Sequence, residues 1–190
     1  YTNIDTLSLH DALPIFGGGL TMNDLIMNGG TLVVLDQAPP PGEDPVLERA
    51  LVGGYLRNGA MTMNAGSAAA PNVKIGVTPG FVGTLTMNGG TLAAGNLLAA
   101  QGAGSVVVFN GGTLTTGHSE VDLDGTAALV VGNGASAATL ALSPAGGTHA
   151  FADGLTIAPG AQLMGAGTIT GSVLSRGRIA PGSSAGTLAI

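Results

Sequence analysis

The residues best suited to chemistry lie close together near position 120: His118, Glu120, Asp122 and Asp124. Carboxylates on alternate residues can share a hard cation, and the Asp-Leu-Asp-Gly sequence at 122–125 resembles the start of a calcium-binding loop. The stretch lacks the third ligand and the distal Glu of an EF-hand, and the chain has no Gly-Gly-x-Gly-x-Asp nonapeptide. On a strand, alternate side chains share one face. We therefore expect the three carboxylates to share the solvent face and to hold no metal.

Acid–base catalysis needs convergent ionisable groups, and the sequence spaces them widely. No Asp, Glu, Lys or Arg lies between Lys74 and Glu120, and from residue 125 to residue 175 the one acid is Asp153, beside the one imidazole, His149. Aromatic residues, which form sugar-stacking platforms, make up only 3% of the chain. We predict no enzyme, no catalytic residue and no cofactor. A fragment of a β-helical carbohydrate-active enzyme, or a glycan-binding module, stays open as the alternative.

Methionine thioethers can bind soft metals, but they also fill irregular cores. Five methionines lie beside, or a few residues before, recurrent asparagines, which favours an inward core stack over a metal site: Met22, Met27, Met61, Met63 and Met87.

Composition limits the partners of the chain. The 190 residues include 34 Gly and no Cys, with 8% charged residues and a formal net charge of -6. The five basic residues are scattered, so no stripe could follow a phosphate backbone, and we expect no nucleic-acid partner. Apolar runs stay well short of the roughly 18 residues of a membrane-spanning helix, so this fragment is expected not to span a membrane.

A repeated motif organises the chain. Asn-Gly-Gly-Thr-Leu follows an apolar residue at positions 28–32, 88–92 and 110–114, and degenerate copies begin at Asn64 and Asn133. The spacing predicts coils of about 22 residues, with about three coils between the first and third full motifs. Asn and Gly tolerate the left-handed backbone of a sharp corner.

Alternating apolar residues flank these corners, as in Thr84-Leu85-Thr86-Met87 and Leu155-Thr156-Ile157. Such short strands bury their apolar faces only by stacking on copies of themselves, about 4.8 Å apart. We therefore predict an all-β fold: a right-handed parallel β-helix, which is a single-stranded solenoid. An antiparallel meander is the rival, but its turns would recur every 8 to 12 residues.

The Thr-x-Thr segments could form a flat binding face. They occur at 84–86, 113–115 and 168–170, which are different points of the predicted coil. The sequence therefore predicts a solvated β-surface without a single rank of threonines.

One stretch leaves this pattern. Residues 36–45 contain consecutive prolines, which cannot donate ladder hydrogen bonds, so we expect a loop there. A short helical turn over residues 46–51 is expected to follow it.

The first fifteen residues differ in kind from the rest. Residues 5–15 resemble, codon for codon, a translated short-read sequencing adapter, and Tyr1-Thr2 fits the adapter's upstream bases. We interpret residues 1–15 as an artefact in a metagenomic fragment and residues 16–190 as native β-helix, with any signal peptide lost upstream.

The last third carries a family resemblance. Residues 165–173, Gly-Ala-Gly-Thr-Ile-Thr-Gly-Ser-Val, and 177–188, Gly-Arg-Ile-Ala-Pro-Gly-Ser-Ser-Ala-Gly-Thr-Leu, are similar to the repeat of autotransporter passengers and related bacterial surface β-helices. With the Asn-Gly-Gly corners the resemblance extends over most of residues 16–190. It implies export to the outer-membrane surface of a Gram-negative bacterium, and a C-terminal barrel or sorting module in the parent protein.

Three functions follow as hypotheses. The coils could form a structural rod that displays loops such as 39–45. They could form an adhesin surface for glycans or neighbouring copies, built from exposed Thr, Asn and the edge at Asp122 and Asp124. An enzyme site could be completed by other parts of the parent protein. Because open solenoid ends expose unpaired strands, the fragment is also expected to self-associate.

Overall fold

A computed structural model describes residues 2–9, 15–17, 20–35, 50–53, 58–76, 80–99, 104–123, 127–182 and 187–190, and every regular element in this part is a β-strand. In chain order the strands are β1 Thr2–Leu9, β2 Ile15–Gly17, β3 Leu20–Leu35, β4 Ala50–Gly53, β5 Gly59–Ile75, β6 Gly83–Met87, β7 Thr91–Ala99, β8 Val106–Phe109, β9 Gly112–Val121, β10 Leu129–Val131, β11 Ala138–Phe151, β12 Leu155–Ile157, β13 Gln162–Thr170, β14 Val173–Ser175, β15 Arg178–Ala180 and β16 Leu188–Ala189.

Every pair of neighbouring strands in the described part is parallel. The main path of neighbours runs β14-β12-β10-β8-β6-β5-β7-β9-β11-β13-β15, so most pairs are formed by strands two apart in sequence. An antiparallel meander would instead join consecutive strands as hairpins. The parallel β-helix predicted from the repeat is therefore confirmed, and the rival meander is wrong.

Each coil contributes to three stacks of parallel strands, called sheets 1, 2 and 3 here. Sheet 1 contains residues 24–27 and 59–63 with β6, β8, β10, β12 and β14. Sheet 2 contains residues 31–33, 67–70, 91–94, 112–116, 138–142 and 162–165 with β15. Sheet 3 contains β4 and residues 72–75, 96–99, 118–121, 147–151 and 167–170 with β16.

Alternate side chains point into one continuous apolar core. In β6, for example, Leu85 and Met87 are fully buried while Thr84 and Thr86 are half-buried. Each fully buried apolar side chain stabilises the fold by about 1.5–3 kcal/mol. The core therefore depends on the period of two that the sequence shows.

The methionines form the predicted core stack. Met27, Met63 and Met87 are in register on successive coils, and Phe109 continues the rank. All four are almost completely buried, as is Met61. The side chain of the fifth predicted member, Met22, lies outside the described part of the chain.

The corners between sheets 1 and 2 explain the repeated Asn-x-Gly sequence. The glycine two residues after each corner asparagine has φ 69°, 83°, 77° and 90° at Gly30, Gly66, Gly90 and Gly112. A Cβ atom on Gly90 would lie 2.7 Å from the carbonyl oxygen of Gly66 in the coil beside it. Both the left-handed backbone and this close approach require glycine, as the sequence predicts.

An amide ladder joins the same corners. Nδ2 of Asn64 donates to Oδ1 of Asn28 at 2.8 Å, Nδ2 of Asn88 donates to Asn64 at 2.9 Å, and Nδ2 of Asn110 donates to Asn88 at 2.9 Å. The three steps span 36, 24 and 22 residues. The three predicted coils between the first and third motifs are present. Asn133 departs from the ladder, because its Oδ1 accepts from the backbone N–H groups of Ala135 and Ser136.

Some sequence expectations are corrected or lie beyond the described residues. Ala50 and Leu51 begin β4, so the helical turn expected to reach residue 51 is wrong there. The proline-rich loop at 36–45 and residues 46–49 lie outside the described part. Residues 2–9 form β1, which pairs with β3, and their origin in an adapter stays a prediction.

Open strand edges occur at the C-terminal end of the described coils. Among the described strands, β14 pairs only with β12 and β15 only with β13. Leu174 on β14 is 54% exposed and Ile179 on β15 is 37% exposed. Self-association of the 190-residue polypeptide through these edges stays a prediction.

Candidate functional site

Sheet 2 carries a rank of hydroxyl groups on its outer side, called the hydroxyl rank here. Register pairs place one hydroxyl on each of five successive coils, about 4.8 Å apart. One adjacent pair is also in direct contact, since Oγ of Ser67 donates to Oγ1 of Thr31 at 3.1 Å. The Thr-x-Thr segments at 84–86, 113–115 and 168–170 lie on sheets 1, 2 and 3, so the expectation that they form no single rank is confirmed. The hydroxyl rank is formed instead by single residues of successive coils. The rank consists of Thr31, Ser67, Thr91, Thr113 and Thr139.

Among the described residues of sheet 2, the outer surface around the hydroxyl rank carries small and β-branched side chains. Two residues after each member of the hydroxyl rank, the next outward side chain is small or β-branched. On the opposite flank lies the amide ladder of the four corner asparagines. No described residue of sheet 2 is charged until β15 begins. The second outward rank consists of Val33, Ala69, Ala93, Thr115 and Ala141.

The predicted polar cluster lies on the outside of sheet 3, in part. Nε2 of His118 is 3.1 Å from Oε1 of Glu120, and Nδ1 of His118 is 3.0 Å from Oγ1 of Thr148 on the next coil. Asp122 is exposed, whereas Asp124 lies outside the described residues. The expectation of solvent-facing carboxylates is thus confirmed for Glu120 and Asp122. His118 is half-buried. An exposed pair of this kind contributes about 0–1 kcal/mol to stability.

A second polar cluster lies inside the coil, and the sequence analysis missed it. Ser119, Thr116 and His149 are all fully buried. Oγ of Ser119 is 3.1 Å from Nδ1 of His149 and donates to Oγ1 of Thr116 at 3.3 Å. Oγ1 of Thr116 donates to the carbonyl oxygen of His118 at 2.5 Å.

The environment of His149 disfavours its charged form. Burial, and secondly the charge of the nearby His118, lower the pKa of His149 below its ordinary value of 6.5. The ring is fully enclosed by protein. A substrate could not reach this imidazole without an opening of the coil.

The structure separates His149 from Asp153, which are neighbours in sequence. Oδ2 of Asp153 accepts a hydrogen bond of 2.6 Å from the backbone N–H of Leu123 on the preceding coil. The carboxylate therefore joins two turns of the solenoid. This contact gives Asp153 a structural role.

An apolar groove of about 480 Å³ lies beside sheet 1, where β8 and β10 share a single register pair. Its walls include Val106, Val108, Val130, Asn110 and Asn133. None of its described lining residues is acidic or basic, so they supply no general acid or base.

Across the described ranges, no three His, Cys, Asp and Glu side chains converge as metal ligands would. Within the same ranges, no helix has the length and apolar character that crossing a membrane requires. No family model matches the chain, and no curated protein or solved structure is significantly similar to it.

Proposed function

We propose that this chain is a non-catalytic structural and adhesive segment of a secreted bacterial surface protein, of the autotransporter-passenger type. The observation that carries the adhesive part is the hydroxyl rank: five aligned hydroxyls on an uncharged face of the rod. The parallel coils supply the structural part, because each coil fixes the next through backbone pairing and a shared core.

The chemistry of the rank favours a neutral, repetitive glycan as its partner. Threonine and asparagine side chains donate to and accept from sugar hydroxyls, and each exposed hydrogen bond contributes about 0.5–1.5 kcal/mol at most. A single sugar would therefore bind weakly. A polymer that engages several coils at once would gain avidity from the repeated spacing.

The surface location rests on the resemblance of residues 165–188 to passenger repeats. The backbone requires a glycine at position 165 of that stretch. Gly165 has φ 106°, and a Cβ atom there would collide with the carbonyl oxygen of Leu142. We propose export to the outer-membrane surface of a Gram-negative bacterium, with a barrel or sorting module in the parent protein.

Binding of the 190-residue chain to an array of neutral polysaccharides tests the adhesive proposal. The variant Thr91→Val/Thr113→Val removes two hydroxyls of the rank and keeps their β-branched shape. The matched control Thr62→Val/Thr86→Val removes two outward hydroxyls from sheet 1. We expect the first variant to lose at least about tenfold in apparent affinity, which is two bonds of about 0.7 kcal/mol, and the control to bind normally. Equal binding by all three proteins would refute the role of the rank.

We also propose that the segment has no catalytic activity of its own. Enclosure of His149 and engagement of Asp153 with Leu123 support this part of the proposal. Polysaccharide turnover by the wild-type chain, abolished in Asp153→Asn or in His149→Gln, would instead favour the alternative of a carbohydrate-active enzyme fragment.

A further inference from the structure

One inward rank of sheet 3 changes character partway along the solenoid. Register places Val73, Leu97, Ser119, His149 and Ile169 on successive coils, and all point into the core. Three of these are aliphatic, whereas two neighbouring coils contribute a hydroxyl and an imidazole. Buried polar groups are stabilising only when their hydrogen bonds are satisfied.

The hydrogen bonds of this cluster run in one direction. Each hydroxyl has a single proton, and that of Thr116 is donated to the carbonyl oxygen of His118. Oγ1 of Thr116 can then accept the proton of Ser119, which leaves Oγ of Ser119 to accept from Nδ1 of His149. The arrangement that satisfies every contact assigns the neutral Nδ1–H tautomer to His149.

This tautomer leaves Nε2 of His149 as the atom that would receive a second proton. Nε2 is buried and has no hydrogen-bond partner. A Cβ atom on Gly147 would lie 3.0 Å from it, so a glycine backbone borders the nitrogen. A proton on Nε2 would therefore create a buried N–H group and a buried charge without an acceptor.

The charged groups around His149 do not neutralise that charge. On β9 the titratable neighbours are His118 and Glu120, whose side chains form a pair with each other on the outer side. β13 and β7 carry no ionisable side chain, and the carboxylate of Asp153 accepts from Leu123. No described carboxylate contacts the imidazole.

β11, which contains His149, pairs with its neighbours β9 and β13 over two separate segments. Its register with β9 shifts between Leu142 and His149, and its register with β13 shifts between Leu142 and Gly147. Residues 147–151 thus form a short pairing segment of their own beyond a bulge. Such a segment can open without the rest of the coil.

We propose that His149, Ser119 and Thr116 form an acid-sensitive catch, in which a proton on Nε2 of His149 opens the pairing of residues 147–151 with β9 and β13. Above pH 6.5 the imidazole is neutral in both the closed and the open segment, so pH has no effect through this group. Below pH 6.5 the open segment binds a proton that the closed segment excludes, and the closed form is progressively lost until the pKa of the closed form is reached. Acidification is expected to release one strand of sheet 3.

Imidazole nitrogen NMR of the wild-type chain tests the premise directly. We expect His149 to be the Nδ1–H tautomer at pH 7.5 and to remain neutral at pH 6.0. An Nε2–H tautomer, or half-protonation of His149 at pH 6.5 or above, would overturn the proposal.

Amide hydrogen exchange tests the opening itself. After correction for the intrinsic pH dependence of exchange, the open population of residues 148–151 should rise about five- to tenfold between pH 7.5 and 5.5. His149→Leu should abolish the rise, because leucine matches the aliphatic members of its rank. His118→Gln should retain it.

Residues 138–142, on the other side of the bulge in the same strand, are the internal control and should not respond. A wild-type chain without the rise, the same rise in His149→Leu, or an equal response in residues 138–142 would each overturn the acid-sensitive catch.

Discussion

The corner between sheets 1 and 2 has different hydrogen bonds in the two halves of the solenoid. Between Asn28 and Asn110 every described corner from sheet 1 to sheet 2 carries an asparagine in the amide ladder and a glycine at positive φ. From Asn133 onward the ladder is absent in the described corners, yet Val131 still pairs with Ile157 and Ile157 with Ser175. The comparison teaches that stacking continues without the amides, so the inward apolar residues and backbone pairing set the register.

Substitutions in the core are expected to have the largest effect on stability, and they test whether both halves depend on the core equally. Met87 in the first half and Leu163 in the second are both fully buried. Met87→Ala and Leu163→Ala should each lower the free energy of unfolding by about 2–5 kcal/mol, through lost burial and a residual cavity. Denaturant-induced unfolding measures both. If Met87→Ala lowered the free energy of unfolding by the full amount and Leu163→Ala lowered it by less than about 1 kcal/mol, the core would not stabilise the two halves equally.

Corner glycines should separate the halves more clearly. Gly90 and Gly134 have φ 77° and 80°, but a Cβ atom meets backbone only at Gly90 and finds nothing within 4 Å at Gly134. Gly134→Ala should cost about 1–2 kcal/mol for the left-handed backbone. Gly90→Ala should cost about 1–3 kcal/mol more, because neighbouring backbone must move. Equal losses in thermal unfolding would contradict the tight corner stack.

The amide ladder should contribute less than either. Asn88→Ala removes two side-chain hydrogen bonds between coils at an exposed corner and should lower the free energy of unfolding by about 1 kcal/mol. Asn133→Ala removes contacts within one turn only and serves as the counterpart in the second half. A loss above about 3 kcal/mol for Asn88→Ala would mean that the ladder, and not the core, sets the register.

The smallest effect is expected on the outer side of sheet 3. Glu120→Gln removes the charge that faces His118 and should change the free energy of unfolding by less than about 0.5 kcal/mol, since both side chains are partly in solvent. Unfolding measured at low and high salt checks this. A loss larger than that of Asn88→Ala would reverse the expected order.

Local chemistry explains why so much of the fold could be predicted. The Asn-x-Gly sequences indicate a left-handed backbone, and the alternation of apolar and polar residues in segments such as 84–87 indicates a half-buried strand. Their return after about 22 residues then favours stacked coils over hairpins. The buried methionines follow from the same two signals.

The two features that sequence reasoning missed depend on register over a distance. A step of 22 residues aligns Ser119 with Ala141, whereas the bulge after Leu142 aligns it with His149, 30 residues away. The hydroxyl rank takes one residue from each coil and includes Ser67. A search for Thr-x-Thr therefore combined threonines of different sheets and could not find it.

The most direct test of the stacked coils is a set of nuclear Overhauser contacts between methionine methyl groups. The account predicts contacts from Met27 to Met63, from Met63 to Met87 and from Met87 to the ring of Phe109, with none between Met27 and Met87, which lie two coils apart. Absence of the Met63 to Met87 contact, or a direct contact between Met27 and Met87, would contradict it.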